Sequence, residues 1–267
     1  MRREITLAKR LTTLRKAINT KPPPKSFLFS SIQNCQEYLD YCKHNSIQLE
    51  STNFRGTLYE LAAMEILKEQ LHCDGLLKVG GANDQGVDII GKWNLKHFWD
   101  QSLLRFPQER SLQDIKNNDS MLKSTIEAGE FLDKNGNRKL ISLEKDINIL
   151  VQCKNHQSKI RVSTIRELTG TYFNHTRSTD VYKNYMFLIS PGTLTKQAHS
   201  LMDTIDIPMI HCRLSSLQSI SSEEDVYKLE NWNGPVLKSI YLNRLSRQLL
   251  RGLNLELQFE LLMAGVE

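Results

Sequence analysis

Ile147-Asn148-Ile149-Leu150-Val151-Gln152-Cys153-Lys154 runs from aliphatic and β-branched residues into a polar end, the pattern of a buried strand whose last residues reach water. Side chains alternate along a strand, so Gln152 and Lys154 share a face. Downstream, residues 162–173 carry helical spacing, Tyr185-Met186-Phe187-Leu188-Ile189-Ser190 is a second buried strand, and Pro191-Gly192 turns the chain into a helix over residues 194–204. Pro208-Met209-Ile210-His211-Cys212 begins a last strand. Upstream lie two short strands, Leu76-Leu77-Lys78-Val79 and Val87-Asp88-Ile89-Ile90, broken by Gly80 and Gly81 and ended by Gly91. Two helices precede them: one over residues 32–49 with Ile32, Cys35, Leu39 and Cys42 on one stripe, and one from an N-cap at Asn53 through Leu71. Helices alternating with strands predict an α/β fold: a small mixed sheet flanked by helices.

Residues 94–146 are polar and irregular, with turn chemistry at Asn117-Asn118-Asp119 and Asn135-Gly136-Asn137. Such a length reads as an insertion with some helix of its own. Trp93, Phe98 and Trp99 open it, either as anchors on the core or as surfaces on which bases stack. The tail from Trp232 places Val236, Ile240 and Leu249 at helical spacing, so residues 216–267 are expected to form a helical C-terminal extension.

The 267 residues are 40% hydrophobic and 24% charged, which excludes a disordered, collagen-like or disulfide-framework chain. No apolar run is long enough to span a membrane. Residues 1–30 hold eight basic side chains against Glu4 alone, net +7, leaving the other 237 residues with 27 basic and 29 acidic groups, net −2. The body is therefore not basic overall, and bulk charge does not argue for nucleic acid. In the arm, Leu7, Leu11, Leu14 and Ile18 fall on one helical face with Arg3, Arg10 and Lys16 largely off it, and Pro22-Pro23-Pro24 ends the pattern. This is the profile of a mitochondrial transit peptide over residues 1–30; a solvated basic tail or a nucleic-acid-holding arm has the same composition. Cys35, Cys42, Cys73, Cys153 and Cys212 are an odd set without C-x-x-C spacing and read as reduced structural thiols.

Three acidic or amide side chains and a lysine occupy places that folding alone would give to apolar residues. Asp88 sits within Val87–Ile90, Gln152 and Lys154 end a strand, and Glu60 lines up with Met64, Leu67 and Leu71 at steps of 4, 3 and 4 on the stripe that faces the sheet. A buried carboxylate is costly unless it is paired or bound to a cation. Phosphodiester hydrolysis needs a hard divalent cation on oxygen ligands, charge stabilisation and an oriented water. Asp88 offers an anionic oxygen, Gln152 an amide oxygen, Cys153 a backbone carbonyl, Lys154 a cation and Glu60 an outer acid. Asp84 is either a further ligand or part of the turn Asn83-Asp84-Gln85-Gly86. Lys159, Arg161 and Arg166 follow the strand end and are the candidates for phosphate contacts; His156 lies two residues past Lys154, whereas His175 and His199 read as solvated.

The string from Gly80 to Gly91, with Val151-Gln152-Cys153-Lys154 after it, resembles the PD-(D/E)xK nuclease superfamily and within it the Mrr-type restriction endonuclease branch, where Gln can replace the acid before x-Lys. Tyr59-Glu60 in the preceding helix, and Val162, Ile165, Leu168 and Gly170 after the lysine, match the flanks. The whole chain is similar to the fungal mitochondrial "required for respiratory growth" family. The resemblance implies a restriction-endonuclease-like αβββαβ core over residues 54–215 with the insertion at 94–146, after an N-terminal helical segment at 31–53. It implies Asp88, Gln152, Lys154 and Glu60 as catalytic residues, with Asp88, Gln152 and Cys153 holding Mg²⁺ or Mn²⁺. It departs from the bacterial relatives in its long insertion and in lacking a preceding DNA-recognition domain.

The expectation is a magnesium-dependent nuclease of the mitochondrial matrix acting on DNA and serving genome maintenance and respiratory growth. The alternatives are a nucleic-acid-binding module without hydrolytic activity, or an assembly protein. A homodimer or a protein partner would dock through the insertion or the C-terminal tail.

Overall fold

The computed structural model describes residues 32–79, 86–105, 127–132, 138–143, 147–176, 181–220 and 225–265; the basic arm and Asp84 lie outside them. Residues 34–267 form one compact unit. Its elements run α1 (Cys35–His44), α2 (Thr52–Glu69), β1 (Cys73–Lys78), β2 (Ile89–Trp93), α3 (Lys96–Arg105), β3 (Glu127–Leu132), β4 (Arg138–Ser142), β5 (Asn148–Cys153), α4 (Val162–His175), β6 (Asn184–Ser190), α5 (Lys196–Thr204), β7 (Met209–Leu214), β8 (Gln218–Ser219), β9 (Trp232–Asn233), β10 (Leu237–Leu242), α6 (Arg244–Leu249) and α7 (Leu255–Met263).

Six strands form one mixed sheet in the order β1-β2-β5-β6-β7-β10. β1, β2 and β5 meander antiparallel, whereas β5, β6 and β7 are parallel and joined by α4 and α5, the crossover that parallel pairing requires. β6 is buried along its whole length: it has a strand on either side and helices over the sheet, so its sequence is a continuous apolar run. On one face Leu150, Met186, Leu188 and Met209 pack against Ile165, Leu168 and Tyr172 of α4 and Ala198 and Met202 of α5. Another aromatic cluster joins Trp93 to Tyr185 and Phe187 edge to face, with Phe98 of α3 reaching Phe259 of α7. Trp93 and Phe98 are buried, and the Trp93 indole donates to the Leu71 carbonyl at 2.8 Å. They are core anchors, not base-stacking surfaces.

Three expectations need correction. The second helix is capped by Ser51, not Asn53: the Ser51 hydroxyl accepts from the Phe54 amide at 3.1 Å, because Ser51 has the extended backbone that a cap requires and Asn53 lies within the first turn. The 94–146 segment holds, besides α3, the two-stranded β3–β4 sheet. The C-terminal extension is not simply helical. Residues Leu237–Leu242 pair with β7 as the last strand of the main sheet, and α6 and α7 follow.

The buried Asn243 fastens that addition. Its Oδ1 accepts from the amides of Met209 and Ser246, and its Nδ2 donates to the carbonyls of Met202 and Ile207. One side chain thus caps α6 and binds it to the ends of α5 and β7, with its donors and acceptors satisfied.

His211 of β7 is also buried. The Ser190 hydroxyl donates to the Gly192 carbonyl, leaving its oxygen to accept from His211 Nε2 at 2.9 Å, so the neutral Nε2–H tautomer is assigned. Burial, then Arg213 and His199, pulls its pKa from 6.5 down to about 4. The unfolded chain takes up this proton near pH 6.5 and the folded chain only near pH 4. The stabilisation is therefore complete above pH 6.5 and disappears as pH falls to 4, a loss of about 3 kcal/mol. Urea unfolding at pH 7.5 and 4.5 should show this decline, and His211→Gln, which keeps a donor but not the titration, should flatten it by about 2 kcal/mol.

Candidate functional site

The site forms near α2, where β1 and β5 end and β2 begins. Tyr59 of α2 is 1% exposed and its hydroxyl donates to the Leu214 carbonyl at 2.8 Å, which fixes the rotation of the helix. Met64, Leu67 and Leu71 are buried as their spacing predicts. Glu60, at the head of that stripe, keeps its side chain 18% exposed and places Oε2 2.8 Å from Lys78 Nζ at the end of β1.

Asp88 immediately precedes β2 and is held on both sides. Its amide donates to the Val151 carbonyl and its carbonyl accepts from the Val79 amide, both at 2.8 Å. Its Oδ2 accepts from the Cys153 amide at 2.7 Å. A strand-end N–H is thus satisfied by a carboxylate, a charge-assisted bond stronger than a neutral one, and the acid is locked against the residue between Gln152 and Lys154. Burial first, then Asp88 and Glu60, drives the Cys153 thiol well above its usual range, with Lys78 acting in the opposite sense. Cys153 therefore stays a neutral thiol within the electrostatic reach of both carboxylates and Lys78.

Gln152 faces the other way, on the side of Leu150 and α4. It is 5% exposed, and its Oε1 is buried without a hydrogen-bond partner. Gly86 approaches it with φ +80°: a Cβ there would stand 2.8 Å from Thr171 Oγ1 and 3.4 Å from Gln152 Nε2. Lys154 is anchored by its amide to the Ile189 carbonyl, and its Nζ lies 3.3 Å from Glu167 of α4, whose side chain is 53% exposed. An exposed pair of this kind contributes about 0–1 kcal/mol, so little holds Lys154 to Glu167. Asn155 clips the following loop, donating to the Arg55 carbonyl and accepting from Ser216 at 2.6 Å.

The structure thus brings Asp88 into direct contact with the Gln152-Cys153-Lys154 strand end and Glu60 into electrostatic reach of it, while Lys154 turns to Glu167. Lys159, Arg161 and Arg166 are exposed along the approach to α4 and its first turns. His156 is exposed and bonded to Ser158 at 2.8 Å. Sequence reasoning missed Lys78 and Glu167. Asking which cation neutralises a half-buried Glu60 would have led to Lys78, the one lysine in the short strand before Asp88.

Among the described residues no group of three or more His, Cys, Asp or Glu side chains is arranged to hold a metal ion. The oxygens of Asp88, Glu60 and Gln152 are a different donor set. Gln152 Oε1 is buried without a hydrogen-bond partner, Glu60 Oε2 is buried against the Lys78 ammonium, and hard cations take carboxylate and amide oxygens of this kind. Oxygen donors of this type suit a hard divalent cation and not a soft metal; Gln152 reaches the strand end from the α4 side and Glu60 from the α2 side.

Residues 51–250 match the family model described as "Required for respiratory growth protein 7". The chain belongs to that family. The matched span runs from the Ser51 cap of α2 to Leu250 just after α6, so it contains the whole six-stranded sheet and every residue of the site. Relatives of the same description, named as mitochondrial, include those of Vanderwaltozyma polyspora, 30% identical over 77% of this chain and 79% of theirs, and Zygosaccharomyces rouxii, 32% identical over 80% and 84%. That of Saccharomyces cerevisiae strain S288c is 33% identical over 67% and 72%. The protein is mitochondrial and required for respiratory growth. No solved structure matches the chain, and no helix among the described residues is long and apolar enough to cross a membrane.

The close packing at Gly86 is testable. Gly86→Ala puts an L-residue at positive φ and a methyl against Thr171, so urea unfolding should show a loss of about 1–3 kcal/mol. Adding Thr171→Ser, which removes the γ-methyl but keeps the hydroxyl, should recover less than Thr171→Ala, because the short contact is to the oxygen.

Proposed function

We propose that this family member is a divalent-cation-dependent nuclease acting on DNA in the mitochondrial matrix, with a PD-(D/E)xK-type site at Asp88, Gln152 and Lys154. The observation that carries the reading is the 2.7 Å bond from the Cys153 amide to Asp88. It joins the acid of one strand to the Gln-x-Lys end of another, where Gln152 Oε1 is buried with no hydrogen bond. The order α2-β1-β2-β5-α4-β6, with α3, β3 and β4 inserted before β5, is compatible with the αβββαβ arrangement of restriction-endonuclease-like cores and supports the same reading.

Asp88, Gln152 and the Cys153 carbonyl would hold Mg²⁺ or Mn²⁺, with Glu60 in its outer shell. The bound cation supplies Lewis-acid stabilisation of the phosphate and an activated water. Lys154 leaves the exposed Glu167, orients the attacking water and offsets the charge that grows on the phosphate oxygens as the leaving oxygen departs. Lys159, Arg161 and Arg166 hold the DNA backbone and position without reading sequence. Residues 1–30 deliver the chain to the matrix, and the hydrolytic role serves maintenance of the mitochondrial genome.

A second reading rests on the two lysines. Both Lys78 and Lys154 are engaged by glutamates, which suits a module that binds nucleic acid through the exposed Lys159, Arg161 and Arg166 and does not cut it.

The purified protein, incubated with linear, nicked, branched and single-stranded DNA in Mg²⁺ or Mn²⁺, should cleave at least one of them. Asp88→Ala and Lys154→Ala should each reduce the rate by about 10²-fold or more. Absence of cleavage on every substrate, or variants as active as the parent, overturns the enzymatic reading. Salt-dependent binding that survives both substitutions supports the binding module.

A further inference from the structure

The cation already beside Glu60 bears on how the site takes up a divalent ion, an inference that rests on the cation-dependent reading above. Lys78 Nζ lies 2.8 Å from Glu60 Oε2, with the two side chains 17% and 18% exposed. The ion pair therefore answers the charge of Glu60 at the oxygen that a second cation would need.

The backbone of Lys78 cannot retreat. It ends β1 opposite Ile89, and the next amide, Val79, donates to the Asp88 carbonyl. Its ammonium, in contrast, is a point charge on a flexible four-carbon stem, free to turn aside once another cation answers the Glu60 charge. Lys78, Asp88 and Glu60 all lie within electrostatic reach of Cys153. A divalent ion on Asp88 would lie next to the end of β1 that carries Lys78, because the Val79 amide bonds to the Asp88 carbonyl, and the two cations repel.

We propose that Lys78 and a divalent cation compete for Glu60, so that Lys78 positions Glu60 and sets how much cation the site requires. Lys78 acts through Glu60 and is a positioning residue, distinct from Lys154.

The test follows the thermal midpoint of the full chain against MgCl₂ and, separately, MnCl₂ concentration, since a ligand of the folded state raises that midpoint by mass action. The parent midpoint should rise. Lys78→Met, or Lys78→Gln where the methionine variant does not fold, should reach half of the rise at about tenfold lower cation. Lys78→Arg should stay near the parent. In a Glu60→Gln background the Lys78 substitution should no longer tighten the response, a coupling that a merely structural lysine would not show. If the parent responds and the Lys78 variants respond at the same or higher concentration, the competition is overturned and the cation site stands. Equal tightening in the Glu60→Gln background also overturns it. If neither cation moves the parent midpoint, and Asp88→Asn behaves identically, the cation-dependent reading itself fails and the competition with it.

Discussion

The start of β2 is held by Asp88 through three hydrogen bonds, two from its backbone to Val79 and Val151 and one from its carboxylate to the Cys153 amide. Everything distinctive about the site follows from that knot. Because the carboxylate occupies the Cys153 N–H, the edge of β5 ends in a charge-assisted bond and not in another rung of the ladder. Gln152 and Lys154, on either side of Cys153 in the chain, are then both carried toward α4. Asp88 is partly buried, and the bond that shapes the site also satisfies its carboxylate with a charge-assisted donor.

Much of this architecture was legible in the chain because its strongest signals are local. β5, β6 and β7 are short, mainly apolar segments, and α4 and α5 carry helical spacing between them; a parallel arrangement leaves few other ways to join such segments. β10 was not legible for a physical reason. It is an edge strand with the burial pattern buried, exposed, exposed, intermediate, intermediate, buried, which lacks the alternation of a half-buried strand. Val236, Ile240 and Leu249 fall by coincidence at helical spacing. What puts the segment in the sheet is tertiary: its pairing with β7 and the four hydrogen bonds of Asn243, none of which a periodicity can express.

The site divides in the same way. Asp88, Gln152 and Lys154 stand out because polar residues interrupt apolar strands, and Glu60 because it heads a buried stripe. Their partners were invisible. Lys78 lies 18 positions from Glu60 and on another element, and Glu167 is 13 positions from Lys154 on an exposed helical face. Ion pairs between elements depend on where backbones end and not on spacing, so the acids of a site can be read from sequence more readily than the cations that answer them.

That asymmetry bears on chemistry. Lys154 and Lys78 sit in similar sequence contexts, each near the end of a strand, yet their environments separate their roles. The Lys154 partner is more than half exposed, and solvent screens the pair so that the lysine moves away at little cost. The Lys78 partner is mostly withdrawn from water, where the attraction is less screened and stranding either charge is penalised. A lysine that must reach a phosphate needs the first situation; a lysine that must hold an acid in place needs the second. The fold distributes them accordingly, Lys154 toward the exposed approach lined by Lys159, Arg161 and Arg166, and Lys78 against α2.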